Sequence, residues 1–263
     1  MLGAAEPTPY DLRFRLFNIP VRVHPLFWLV MAILASGNSD LRLICLFIGC
    51  AFVSILVHEF GHGLMATFFG FRAHEIVLYG MGGYCQCEIE RQSPKERLAV
   101  LFMGPGAGFL LLAAMFLLAR VLLGISFIDD VNLVRMVLGL EQNRIFSVAF
   151  GELPQLTKLT YLTMIQINLM WGLLNLLPIW PLDGGRITEV LLNLVDRRKG
   201  TRWAHVVSLL TAGILAVIFF RFQETFMGIW FLYFGFVNYQ ILQSITQSSR
   251  YYSQEDDADW WKR

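Results

Sequence analysis

Within the run "CAFVSILVHEFGHGLMATFF", residues 50 to 69, three ionisable side chains interrupt apolar and small residues: His58, Glu59 and His62. The two histidines stand at i and i+4, so on a helix they stack on one face and can aim at a common point. That spacing suits a zinc ion, and a catalytic zinc takes three protein ligands while leaving one position open for water. Glu59, next to the first histidine, is then placed to take a proton from that water and pass it to a departing amine. Amide hydrolysis is the chemistry such a constellation performs.

A second stretch, "NLLPIWPLDGGRI" from Asn175 to Ile187, offers the third ligand. Asp183 follows an apolar segment broken by Pro178 and Pro181 and precedes two glycines, so the chain can turn sharply there. Irregular backbone at membrane depth survives only where it is buried in protein or lines a cavity, which predicts an inward-facing Asp183. An ordinary turn at a membrane surface reads the same Asp-Gly-Gly equally simply.

These residues need elements to hold them. The chain has 263 residues, 56% of them hydrophobic, 14% aromatic and only 16% charged. A soluble domain carries about a quarter charged residues, so the composition describes a multi-span membrane protein. Apolar segments lie at about 25 to 36, 41 to 69, 98 to 124, 160 to 179, 204 to 220 and 226 to 245. Most approach the ~20 residues a spanning helix needs. The expected fold is therefore all-α and polytopic, with about six transmembrane helices in one integral membrane domain over residues 1–263. The residues before the first span read as a polar leader, and "SSRYYSQEDDADWWKR", within about 246–263, as a polar tail with interfacial aromatics. Residues 125–159 carry mixed charge and suggest an amphipathic piece on the membrane surface.

Formal net charge is +1, which points to no nucleic-acid partner. If the N-terminus is cytoplasmic, the inside segments hold Arg13, Arg15, Arg22, Arg72, Arg91, Lys95, Arg97, Arg186, Arg197, Arg198, Lys199, Arg202, Arg250, Lys262 and Arg263, fifteen of the 21 basic residues. That bias predicts both termini inside and His58 in the cytoplasmic half of the second span. Cys45, Cys50, Cys85 and Cys87 form no disulfide framework, and free thiols are expected, with Cys85-Gln86-Cys87 as a metal or redox pair the lesser alternative, since ordinary metal pairs have at least two intervening residues.

His58-Glu59-Phe60-Gly61-His62, together with Asn175 to Gly184 in the order N-x-x-P-x-x-P-L-D-G, resembles the site-2 protease family of intramembrane zinc metalloproteases. The match covers about residues 41–187, a three-helix catalytic core, in a compact form without a PDZ or CBS domain. The resemblance implies one catalytic Zn2+ held by His58, His62 and Asp183, with Glu59 as general base. It implies that Asn175 contacts the substrate or stabilises the tetrahedral oxyanion, although an asparagine there also satisfies backbone groups freed by Pro178. It further implies a transmembrane-protein substrate, cleaved near the cytoplasmic side of a prokaryotic membrane.

"YGMGGYCQCE", Tyr79 to Glu88, falls where the family often has a membrane-associated hairpin. An exposed edge at Gly82 and Gly83 could pair with an unwound substrate strand; a glycine-rich turn without a partner is the alternative. "MGPGAG" resembles the family's G-P-x-x-N, but Gly108 stands at the asparagine position, so no polar role transfers there. His24 reads as an interfacial structural histidine, and His74 and His205 as non-ligands. Two other classes compete: a membrane zinc-binding or transport protein, which calls for polar residues spread along facing spans, and a non-catalytic relative, which has no need of Glu59.

Overall fold

The computed structural model describes residues 6–37, 40–88, 92–140 and 146–258. The chain forms two compact units, Met1–Leu174 and Asn175–Arg263.

The first unit carries the sheet and the longest apolar helices. In order it contains β1 (Leu12–Leu16), β2 (Ile19–Val23), α1 (Pro25–Ala35), α2 (Leu41–Phe68), β3 (Ala73–Tyr79), β4 (Gly82–Cys87), α3 (Pro94–Leu123), α4 (Phe127–Val137), α5 (Val148–Glu152) and α6 (Gln155–Asn175). α6 ends on the first residue of the second unit. Asp40 caps α2 by accepting from the Arg42 amide at 2.8 Å. α3 starts with a capping box between Ser93 and Glu96 and stops at Gly124, whose φ of 68° is a left-handed helix terminus.

The strands run in the order β1-β2-β3-β4. β1/β2 and β3/β4 are antiparallel hairpins, whereas β2 and β3 pair in parallel across the intervening α1 and α2. Ile19, Val21, Val23, Ile76 and Leu78 from the two middle strands pack on Phe27, Met31, Ala51, Ile55 and Phe60. This core presses the sheet against α2, the helix that carries the histidines. Only the β3/β4 hairpin is expected from sequence; the polar leader supplies the other half of a four-stranded sheet. His24 caps α1, its Nδ1 accepting from the Leu26 amide at 3.1 Å, the structural role anticipated for it.

Among the described residues, four helices are long and apolar enough to cross a membrane: α2, α3, α8 (Gly200–Arg221) and residues Thr225–Gln247 of α9 (Thr225–Ala258). Leu117 and Val121 on α3 and Leu210 and Val217 on α8 are each more than 60% exposed, the surface lipid would cover. The protein is an integral membrane protein. Two of the six expected spans fall short: α1 has only 11 residues, and α6 reaches 21 but includes Lys158, Gln166 and Asn168. Asn168 is buried and donates to Ser54 Oγ at 2.9 Å, so this polar group is paired with α2, whereas Gln166 is exposed.

The expected amphipathic connection contains α4 and α5. α4 is inside out by the standards of a soluble helix: Phe127 and Ile128 are exposed while Asp129 and Asp130 are buried. Asp130 accepts from Arg120 at 2.7 Å and from the Tyr161 hydroxyl at 2.6 Å, and Asp129 from the Ser147 amide at 2.8 Å.

The second unit contains α7 (Asp183–Val195), α8 and α9, preceded by the irregular segment 176–182. Its tail is helical through Ala258; Trp260 and Trp261 lie outside the described residues.

Candidate metal centre

His58, Glu59 and His62 are all buried in the middle of α2, at 3%, 4% and 7% exposure. The two imidazoles meet edge to face with ring centroids 5.0 Å apart. His62 Nδ1 lies 2.8 Å from the Val100 carbonyl oxygen on α3. A carbonyl can only accept, so Nδ1 carries the proton and Nε2 keeps its lone pair. This is how a metal-ligating histidine is oriented by a partner behind it.

Both Nε2 atoms face Gly104 of α3. A methyl group there would collide with the His62 ring and lie 2.9 Å from His58 Nε2. Gly61 permits the approach that makes this so, since a side chain at that point on α2 would run into the Met103 carbonyl and reach Ala107 Cβ at 2.7 Å. Small residues let membrane helices pack backbone to backbone, and here that packing brings a bare stretch of α3 over the paired imidazoles. A His62 tautomer fixed from behind and two Nε2 atoms converging on a side-chain-free surface fit a zinc ion.

The β4 strand covers the other side of Glu59. A Cβ at Gly83 would sit 2.7 Å from Glu59 Cγ and 2.8 Å from its Oε1, so only glycine leaves room for the carboxylate. Gly82, with φ at 118°, instead abuts the Trp171 ring. β4 is the last strand of the sheet, hydrogen-bonded only to β3 among the described residues. Cys85 and Cys87 follow Gly83 on the same face, with Sγ atoms 3.2 Å apart. Their shared hydrogen bond holds the Cys87 thiol below its ordinary range and pushes Cys85 up.

Asn175 and Asp183 belong to the second unit, where both are buried, at 8% and 6% exposure. Asp183 opens α7. Gly184 is pressed against the Leu176 and Leu177 carbonyls and Gly185 against the backbone of Ile179 and Trp180, so the two glycines fold α7 tightly onto the segment before it. That segment is anchored by side chains of α8 and α9. Ser208 Oγ accepts from the Trp180 amide at 3.0 Å, and Asn238 Nδ2 donates to the Trp180 carbonyl at 2.7 Å. Asn238 Oδ1 in turn accepts from His205 Nδ1 at 2.7 Å. His205 is thus no lone histidine. The only sequence signal for this network is polar residues within apolar spans, which are costly unless paired.

An apolar helical assembly with an HExxH motif buried in one of its spans places the chain among integral membrane proteins built around a metal-binding helix. The model of peptidase family M50 matches residues 46–220. The chain belongs to that family, the site-2 proteases, and zinc is the cofactor that membership brings. It is similar to stage IV sporulation protein FB of Bacillus subtilis, with 28% identity over 196 residues, 74% of this chain and 54% of that protein. A zinc metalloprotease of Methanocaldococcus jannaschii is 30% identical over 189 residues, 70% of this chain and 46% of that one. The chain thus spans about half the length of these curated relatives. Among solved structures, the site-2 protease from M. jannaschii aligns over 89% of this chain and 95% of that one, with a TM-score of 0.54 and 24% identity, a likeness of fold.

Proposed function

We propose that this chain is an intramembrane zinc endopeptidase that cuts a transmembrane segment of another membrane protein near the cytoplasmic side. The observation that carries the reading is the convergence of His58 and His62 Nε2 atoms over Gly104, with His62 locked from behind by Val100 and Glu59 adjacent. His58, His62 and Asp183 are the proposed ligands. When bound, zinc supplies the Lewis acidity that makes a water nucleophilic near neutral pH.

Glu59 accepts the proton of the attacking water and delivers it to the departing amine. Its place over Gly83 leaves the carboxylate without a competing side chain on that side. The Asn175 amide donates to the oxyanion as the carbonyl becomes tetrahedral. The edge of β4 at Gly82 and Gly83 aligns the substrate by strand addition, which presents an extended peptide bond that a helical substrate would hide. The excess of Lys and Arg in the segments on the proposed inner side supports a cytoplasmic placement, and with it a prokaryotic cytoplasmic membrane with both termini inside.

The test compares cells carrying the parent protein with cells carrying Glu59→Gln by membrane proteomics. Single-span proteins should accumulate uncut in the variant, with cleavage down by roughly 100-fold or more. Purified Glu59→Gln should keep its zinc, whereas His62→Ala and Asp183→Ala should lose it. Parental cleavage by Glu59→Gln removes the base assignment, and full zinc occupancy in either ligand variant overturns the ligand set.

A further inference from the structure

The Cys85–Cys87 pair is not used by the chemistry above, yet it lies on the strand face that meets α2. Gly83, Cys85 and Cys87 alternate along that face. Gly83 backs onto Glu59, and a Cβ at Gly63, next to His62 and one turn on from Glu59, would be 3.3 Å from Cys85 Sγ. Cys87 is within electrostatic reach of both His62 and Glu59. Both thiols are free and half-buried, with sulfurs 3.2 Å apart.

We propose that Cys85 and Cys87 form a thiol–disulfide exchange site that takes low-molecular-weight disulfides and, when oxidised, disarms the adjoining catalytic groups; the second half of this statement rests on the peptidase reading. In the exchange, one cysteine attacks, as its thiolate, a sulfur of the small disulfide, forming a mixed disulfide and expelling one small thiolate. The second cysteine loses its proton and attacks the protein sulfur of that mixed disulfide, expelling the other small thiolate. The two protein thiols are oxidised to one S–S bond, the small disulfide is reduced to two thiols, and the two protons released by the protein end on those thiols.

Strand geometry explains why this step would be felt at Glu59. Neighbours on one face of a strand have Cβ atoms roughly 6.6 Å apart, whereas a disulfide holds its Cβ atoms about 3.5–4.5 Å apart. Closing the bond therefore requires β4 to bend. The ladder already yields at this point, because β3 carries an irregularity between Ala73 and Glu75, opposite Cys87 and Gln86. Bending there pulls on Gly83, the position that leaves room for the Glu59 carboxylate. Bonds made under strain are readily reduced, so the change is reversible.

The experiment exposes the full-length protein, in its membrane, to oxidised glutathione and then maps the peptide containing residues 85 and 87 by mass. That peptide should become two hydrogens lighter, and dithiothreitol should restore it. Amide exchange along β3 and β4 should speed up in the oxidised protein, a readout independent of peptidase activity. Cleavage by the parent should fall at least roughly tenfold on oxidation, since ångström-scale misplacement of catalytic groups costs that much or more. In Cys85→Ser and Cys87→Ser the ratio of oxidised to reduced activity should stay near one. A peptide that keeps both hydrogens while the denatured chain loses them overturns the exchange site. Oxidation that leaves amide exchange unchanged, or leaves the parent's activity ratio near one, overturns its effect on catalysis. Absence of cleavage by the reduced parent counts against the peptidase reading, and the mass and exchange results then still decide the disulfide.

Discussion

At the scale of single residues, the metal centre depends as much on an absent side chain as on those present. Gly104 leaves α3 bare where the two Nε2 atoms converge. Gly104→Ala should therefore leave α3 helical, because alanine is the better helix former, while driving the His62 ring off its Val100 hydrogen bond. Zinc affinity should fall by roughly 10–100-fold, as when an outer-shell support is lost, and competition with a chromogenic chelator measures it. Gly108→Ala, one turn along, is the control: a Cβ there meets nothing closer than Asn168 Oδ1 at 3.7 Å, so zinc affinity should hold. The paired histidines were legible in sequence because spacing alone puts them on one helix face, and Glu59 because it adjoins the first of them. Gly104 was not, since a glycine before Pro105 in an apolar run says nothing of which helix it will face. That depends on how α3 crosses α2, a property of two helices together.

At the scale of elements, the segment that leads into Asp183 is held by α8 and α9 through side chains far from it in sequence. Asn238 is fully buried and satisfies both the Trp180 carbonyl and His205. Asn238→Ala strands both partners, at about 1–3 kcal/mol for each buried group left unsatisfied. Asn238→Asp separates the two: it still accepts from His205 but no longer donates to Trp180. Thermal unfolding in detergent should show both variants destabilised, Asp because its carboxylate faces the Trp180 and Phe234 carbonyls, and both should bind zinc more weakly than the parent if the Trp180 bond positions Asp183. The prolines and glycines of 178–185 were legible as a break, but the hydrogen bonds that shape it join residues 28 and 58 positions apart. The first two strands escaped for a related reason. Leu12, Phe14 and Leu16, like Ile19, Val21 and Val23, alternate as strands do, yet the arginines and Pro20 among them read as a polar leader. β3, the partner of β2, lies far along the chain, Val21 pairing with Ile76, beyond the reach of any local pattern.

At the scale of the whole molecule, the unusual feature is how much apolar surface the described residues leave uncovered while His58, Glu59 and His62 are gathered inside one span. Lipid supplies the missing half of that packing. The asymmetry of Lys and Arg predicts a cytoplasmic C-terminus, so alkaline phosphatase fused after Gln247 should be inactive in whole cells and a fluorescent protein fused there should be bright. The reverse pattern would invert the orientation and put the proposed cleavage on the other side.

The parallel pairing of β2 with β3 sets a rule of parity on that topology. Strands in one sheet lie on one side of a membrane, so the chain between them must cross an even number of times. α2, about 42 Å long at 1.5 Å per residue, makes one full crossing. The return falls to α1, whose 11 residues reach only about 17 Å of a hydrocarbon layer near 30 Å thick. If α1 makes that crossing, the sheet would make up the difference from within the bilayer, with Leu12, Leu16 and Phe17 exposed on its outer strand and turn. On that topology a short first helix would draw the sheet below the level of the headgroups.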